Sequence, residues 1–193
     1  GDVYKRQAEY NAKQLKKYNF DIIITPDPHA YNAFVNEYPK LGYTYKVLHH
    51  TQYLFQRLDD LKPLFKKEFP YKVTYHDPCY LGRRNKVFDA PREILKSING
   101  LNFIEMPRTR EDALCCGGGG GGVWLDSFSR KYIKERPAEK RVKEALSIGA
   151  EVLAVACPID ITMFEDAVKV LNLEGKIRIM DISEILLEVI GGG

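Results

Sequence analysis

Short β-branched and aromatic runs alternate along this chain with stretches of helical period. Strands are predicted at residues 21–25, 45–49, 72–76, 102–106, 151–156 and 176–181. Most are near-continuous apolar runs, as a sheet covered on both faces requires. Helices are predicted at residues 8–18, 30–37, 51–58, 92–98, 139–146, 161–171 and 183–190. Gly149 stands where a C-cap glycine belongs after the helix at 139–146. Strand followed by helix, again and again, gives an α/β fold of mainly parallel sheets flanked by helices.

The pattern repeats itself. DIIITPDPHAYNAF, from Asp21, matches EVLAVACPIDITMF, from Glu151, at an offset of 130 residues. Asp27 falls on Cys157, Pro28 on Pro158, Ala30 on Asp160 and Phe34 on Phe164. Further on, YKVLHHTQYL from Tyr45 answers IRIMDISEIL from Ile177 at an offset of 132. Each copy reads strand, Pro turn, helix, strand, helix, although any two βαβ pieces share part of that likeness. A long cysteine-bearing segment precedes the second copy and has no counterpart before the first. The expected organisation is a scar or disordered start at 1–7, the later part of a degenerate first module at 8–68, and a complete second module at 69–193. The chain is thus expected to be a piece of a longer protein, begun partway through its first module.

Composition narrows the class without choosing a function. With 45% hydrophobic and 28% charged residues over 193, the chain can bury a core without disulfides. No apolar run approaches a membrane span, and no basic start with an apolar stretch reads as a secretory signal. A cytoplasmic location is expected, with membrane association only through a missing N-terminal part or a partner. The formal net charge of +3 is too small to argue for nucleic acid or a membrane surface.

The cysteines carry the chemistry. Cys79 is followed after 35 residues by Cys115-Cys116-Gly117, and after 39 more by Cys157-Pro158-Ile159-Asp160. In a chain without an export signal such a cluster points to metal ligation or redox work rather than structural disulfides. All four sit at predicted turns. Residues beyond the carboxyl ends of parallel strands converge on one sheet edge, where sites are built. Four thiolates there suit a tetrahedral metal or an iron–sulfur cluster. Six consecutive glycines, Gly117 to Gly122, contribute no side-chain packing and are costly to order. Either they form a flexible linker, or Gly117, Gly118 and Gly119 bring backbone N–H groups close to thiolates or cluster sulfurs. A phosphate-binding loop is a weaker alternative, since the Lys-Ser/Thr ending of a P-loop is missing. Arg83, Arg84, Arg108 and Arg110 flank the cysteines and could offset a buried anionic group, or simply lie in solvent. The four histidines are His29, His49, His50 and His76. Asp27 and His29 are read first as cap and turn residues, with a substrate, proton or metal site as the alternative. Tyr80 and Trp124 are expected to shield the site from water.

HDPCYLGRRN, LCCGGGGGG and ACPIDITMFEDAVK together resemble the cysteine-rich CCG domain. That domain occurs in the catalytic subunit of heterodisulfide reductase and in iron–sulfur subunits of glycolate oxidase and lactate-utilisation complexes. PDPHAYNAFVNEYP with YKVLHHTQYL resembles the end of a preceding CCG module. Family members carry CxxC at the end of each module. Here the second module has Asp160 in place of the last cysteine, and the first has Asp27-Pro28-His29-Ala30 with neither.

The resemblance implies one cluster, held by Cys79, Cys115, Cys116 and Cys157, with Asp160 as an extra or exchangeable ligand. An ordinary [4Fe-4S] cubane and the noncubane form of the family both remain open. An iron–sulfur oxidoreductase subunit is implied, working with ferredoxin-type clusters, a flavoprotein, or a quinone or thiol/disulfide acceptor. The rival readings are a non-redox structural zinc domain with four cysteine ligands and a phosphate-cradling α/β module.

Overall fold

The computed structural model describes residues 2–124 and 133–191. Helix α1 (Asp2–Leu15) opens the chain, six residues ahead of the predicted start. Residues 2–7 contain no glycine or proline, and the Gln7 side chain donates to Asn11 Oδ1 one turn on at 2.9 Å. Residues 2–7 are therefore helical, and Gly1 lies outside the described residues.

The first repeat supplies β1 (Ile23–Thr25), α2 (Pro28–Asn32), β2 (Val47–His49), α3 (His50–Gln56) and α4 (Leu58–Leu61). β1 and β2 pair in parallel, Ile23 opposite Val47. The second part runs β3 (Lys72–Tyr75), α5 (Asp89–Lys96), β4 (Asn102–Phe103), α6 (Pro137–Ser147), β5 (Val152–Val155), α7 (Pro158–Val170), β6 (Arg178–Asp181) and α8 (Ile182–Ile190). Its sheet is parallel throughout, in the order β4-β3-β5-β6. Every predicted strand is present, trimmed at its ends. β4, at the sheet edge, keeps only two paired residues, Asn102 and Phe103.

β5 explains its own unbroken apolar run. Alternate residues point to opposite faces, and both faces are covered. Val152 and Ala154 enter a core with Tyr75, Ile94, Leu95, Ile182 and Ile185. Leu153 and Val155 enter another with Val142, Ala145, Phe164 and Ala167. Tyr31, Val47 and Leu58 of the first repeat belong to the first of these cores, so the two repeats share an interior.

The repeats also meet at equivalent positions. His49 and Asp181, matched at the 132 offset, cap α3 and α8, each with a capping box closed by Gln52 or Glu184. His50 Nε2 lies 3.3 Å from Asp181 Oδ1. His49 is buried and satisfied as a neutral ring. Its Nδ1 accepts from Thr51, and its Nε2 lies 3.1 Å from the Pro26 carbonyl.

Candidate metal centre

Three turns bring the cysteines together. Cys79 follows β3 and opens a tight π-turn over Tyr80–Arg84. Cys157 follows β5 as the N-cap of α7, with extended backbone and Pro158 at the first helical position. Cys115 and Cys116 come from the long connection before α6. The Cys115 and Cys79 sulfurs lie 4.0 Å apart. Cys79, Cys116, Cys157 and Asp160 line one narrow cleft with His29, Tyr80 and Gly119.

The glycine run divides in two. Gly117 N–H donates to Cys115 Sγ and Gly118 N–H to Cys116 Sγ, both at 3.4 Å. The bend that allows this uses a left-handed Gly117, φ +86. Gly118 is closely covered: a Cβ there would sit 2.4 Å from Ile159 Cγ2. Gly119 also lines the cleft, but a Cβ there meets nothing within 4 Å and its φ is not positive. The remaining glycines turn on themselves, Gly122 N–H donating to the Gly119 carbonyl at 3.1 Å. Trp124 is 86% exposed and lines an open groove with His29 and Gly118 rather than closing over the cysteine cleft, contrary to the expected shield. Tyr80 lines the cleft, its ring 4.3 Å from that of His29 and tilted 37° to it.

The thiols share charge unequally. Hydrogen bonds from the Cys116 and Cys79 thiols, and from Gly117 N–H, hold the Cys115 thiol well below its ordinary range. The same bonds, with burial, push Cys79 and Cys116 up. Burial pushes Cys157 up to about 12. Burial also raises the Asp160 carboxyl to about 7, against a hydrogen bond from Cys116. Asp160 Oδ2 and His76 Nε2 are buried without hydrogen-bond partners among the described residues. Unpaired buried polar atoms are expensive. Four soft thiols, two N–H groups aimed at sulfur and an orphaned carboxylate oxygen form a donor set that suits a metal or iron–sulfur group.

The framework behind the site was not legible beforehand. Asp77 is buried and gripped by Arg92 through two bonds of 2.7 and 2.8 Å. It also accepts the Arg110 backbone N–H at 2.7 Å. This fixes the loop two residues before Cys79. Arg141, also buried, donates Nε to His76 Nδ1 at 3.2 Å and Nη1 to the Arg108 carbonyl at 2.6 Å. Among the flanking arginines, Arg83 reaches the Ala113 carbonyl beside the Cys115 turn. Arg84 lies over Tyr80, Arg108 pairs with Glu144 and Arg110 pairs with Asp89. A charged side chain in the middle of a helix, such as Arg92 in α5, was the available signal for the buried pair.

Among the described residues no helix is long and apolar enough to cross a membrane. The cysteine-rich domain family model, named CCG, matches residues 73–164. The chain is 37% identical over 98% of its length to the probable iron-sulfur-binding oxidoreductase FadF of Bacillus subtilis, covering 26% of that protein. It is 34% identical over 95% of its length to the EtfAB:quinone oxidoreductase of Syntrophomonas wolfei, again covering 26%. It is 33% identical over 98% of its length to a subunit of the dihydromethanophenazine:CoB–CoM heterodisulfide reductase of Methanosarcina barkeri, covering 46% of that subunit. The chain thus spans between about a quarter and somewhat under half of these relatives. With their doubled cysteine, glycine bend and strand-end thiols, residues 73–164 match the CCG cysteine-rich domain family.

Proposed function

We propose that this chain is the cluster-bearing part of an iron–sulfur oxidoreductase subunit. Cys79, Cys115, Cys116 and Cys157 hold a single [4Fe-4S] cubane, with Asp160 beside it as an exchangeable oxygen ligand. The observation that carries the reading is the pair of N–H···S hydrogen bonds from Gly117 and Gly118 at a cleft lined by three of the four cysteines. When bound, such a cluster supplies a one-electron couple. The chain's own residues would tune it. The two glycine N–H groups favour added negative charge on sulfur, and burial of Cys116 and Cys157 keeps water away. The parent protein would pass electrons from ferredoxin-type clusters or a flavoprotein to a quinone or a thiol/disulfide acceptor, the two acceptors being those that relatives' names carry. In this reading the domain works on the cytoplasmic side, and any membrane attachment comes through a partner or another part of the protein.

Anaerobic purification with iron and acid-labile sulfide analysis tests it. Four irons and four sulfides per chain, in a brown protein with an EPR signal on reduction, are the expected result. A colourless protein holding one zinc and no sulfide would establish the structural zinc reading instead.

A further inference from the structure

Next to the cysteine cleft are two buried polar atoms that lack what they need. His76 Nε2 and Asp160 Oδ2 have no hydrogen-bond partner among the described residues. Their side chains are only 0% and 3% exposed. They come from different elements. His76 follows β3, its backbone N–H donating to the Ala154 carbonyl of β5 at 2.9 Å, and Asp160 stands in the first turn of α7. Across the gap His76 Nε2 lies 3.7 Å from Asp160 Oδ1, just beyond hydrogen-bond length.

We propose that His76 is a positioning residue for Asp160: held by Arg141, it gives its Nε2–H to Asp160 Oδ1 and leaves Oδ2 for the cysteine cleft. The inference rests on the iron–sulfur reading above and deepens it, by naming what fixes the carboxylate beside the cluster.

The geometry gives this relay its direction. Arg141 Nε lies 3.2 Å from His76 Nδ1. A guanidinium can only donate, so Nδ1 accepts and the ring proton sits on Nε2. Burial, and next the Arg141 charge, hold His76 well below its ordinary 6.5, which keeps the ring neutral. Arg141 is itself anchored, its Nη1 donating to the Arg108 carbonyl at 2.6 Å and to Glu144 at 2.9 Å. Phe164 of α7 packs against the His76 ring in a T-shaped contact of 4.7 Å. Asp160 in turn lines the cleft with Cys79, Cys116 and Cys157. A buried donor and a buried acceptor left just short of a bond are costly, and closing the gap relieves both. A carboxylate held at one distance from a redox centre gives it a fixed electrostatic bias, which a freely turning one does not.

The test is a redox titration of the whole chain, purified anaerobically, with iron and sulfide counted in every sample. His76→Asn keeps an acceptor for Arg141 but is too short to reach Asp160. It should retain the cluster and move the midpoint potential in the same direction as Asp160→Ala. His76→Gln, which puts an N–H back near the place of Nε2, should return the potential toward that of the parent. In the Asp160→Ala chain, His76→Asn should add no further shift, because nothing is left to position. His76→Leu, of similar volume and without a polar atom, makes the same comparison should His76→Asn fail to fold by circular dichroism. A shift of equal size with and without Asp160, or a potential unmoved in the folded variant, overturns the proposal and leaves the cluster reading intact. A parent chain without iron and sulfide overturns both.

Discussion

The turn after β1 and the turn after β5 are built alike and carry different chemistry. Both leave a parallel strand and enter a helix through an X-Pro step. In the first, Asp27 spends its carboxylate on its own helix, accepting N–H from His29 and Ala30. In the second, Cys157 makes no side-chain cap, and its thiol is left for other work. A cap that satisfies itself can survive the loss of a cofactor, and a bare thiol at a helix N-terminus has no comparable structural reason to remain. The difference teaches that the first turn is stabilised by its own side chain, whereas the second leaves its side chain without a capping partner, as the proposed ligand role requires.

The largest contrast should come from exchanging the capping residues for alanine. Cys157→Ala, like Cys115→Ala and Cys116→Ala, is expected to abolish iron binding. Asp27→Ala should keep iron and sulfide while costing about 1 kcal/mol of stability through the lost cap. Iron analysis beside urea unfolding separates the two outcomes, and equal iron loss in both variants would erase the distinction between the turns.

Next in size is a difference in acid sensitivity between the paired caps His49 and Asp181. Burial lowers His49 from 6.5 to about 3, with the His50 charge adding to the effect. Between those values the unfolded chain binds a proton that the folded chain refuses, so stability falls as pH drops from 6.5 toward 3. Burial alone would raise the Asp181 carboxyl, but its bonds from His50 and Ser183 hold it below its ordinary 3.8. Its contribution is present above that value and is lost only as pH falls further. Unfolding midpoints in urea from pH ~7 to ~4 should decline, and His49→Gln should flatten the decline.

Glycine substitutions in the second module's own connection come third. Gly118→Ala drives a methyl against Ile159 and Met163 and should cost about 1–3 kcal/mol. It should also disturb the Cys116 hydrogen bond and lower the cluster potential. Gly119→Ala meets open space and should change stability by less than about 0.5 kcal/mol. Thermal melts of the two variants check the order, and a larger cost at Gly119 would contradict the geometry.

The smallest effect is expected at the last position of each turn. Asp160→Ala should retain iron and shift the midpoint potential, while Ala30→Ser should leave both unchanged. Redox titration of the pair, with iron counted, measures the difference.

Much of this was legible from the chain. Continuous apolar runs such as residues 152–157 announce strands because both faces of β5 are buried, and the doubled cysteine with its glycines marks the candidate site. What was hidden depends on distances across the fold. Nothing local to Asp77 says that Arg92, fifteen residues away, grips it in the interior. The repeat aligned Asp27 with Cys157, but alignment of two segments does not say that their side chains come within 4.8 Å. A glycine run looks uniform in sequence, while its members differ in what surrounds them, and nothing in the run told that Trp124 beyond it stands exposed.

β5 has one further consequence, for how the bound group would leave. The strand ends at Val155, two residues before Cys157, and is wedged between two apolar interiors, so the proposed anchor of the site has no separate, weakly held support. Local opening takes the least stable parts of a protein first, and β5 is not among them. Release should therefore keep pace with unfolding of the whole domain. Amide exchange at Val152–Val155 and cofactor escape would then share one slow clock.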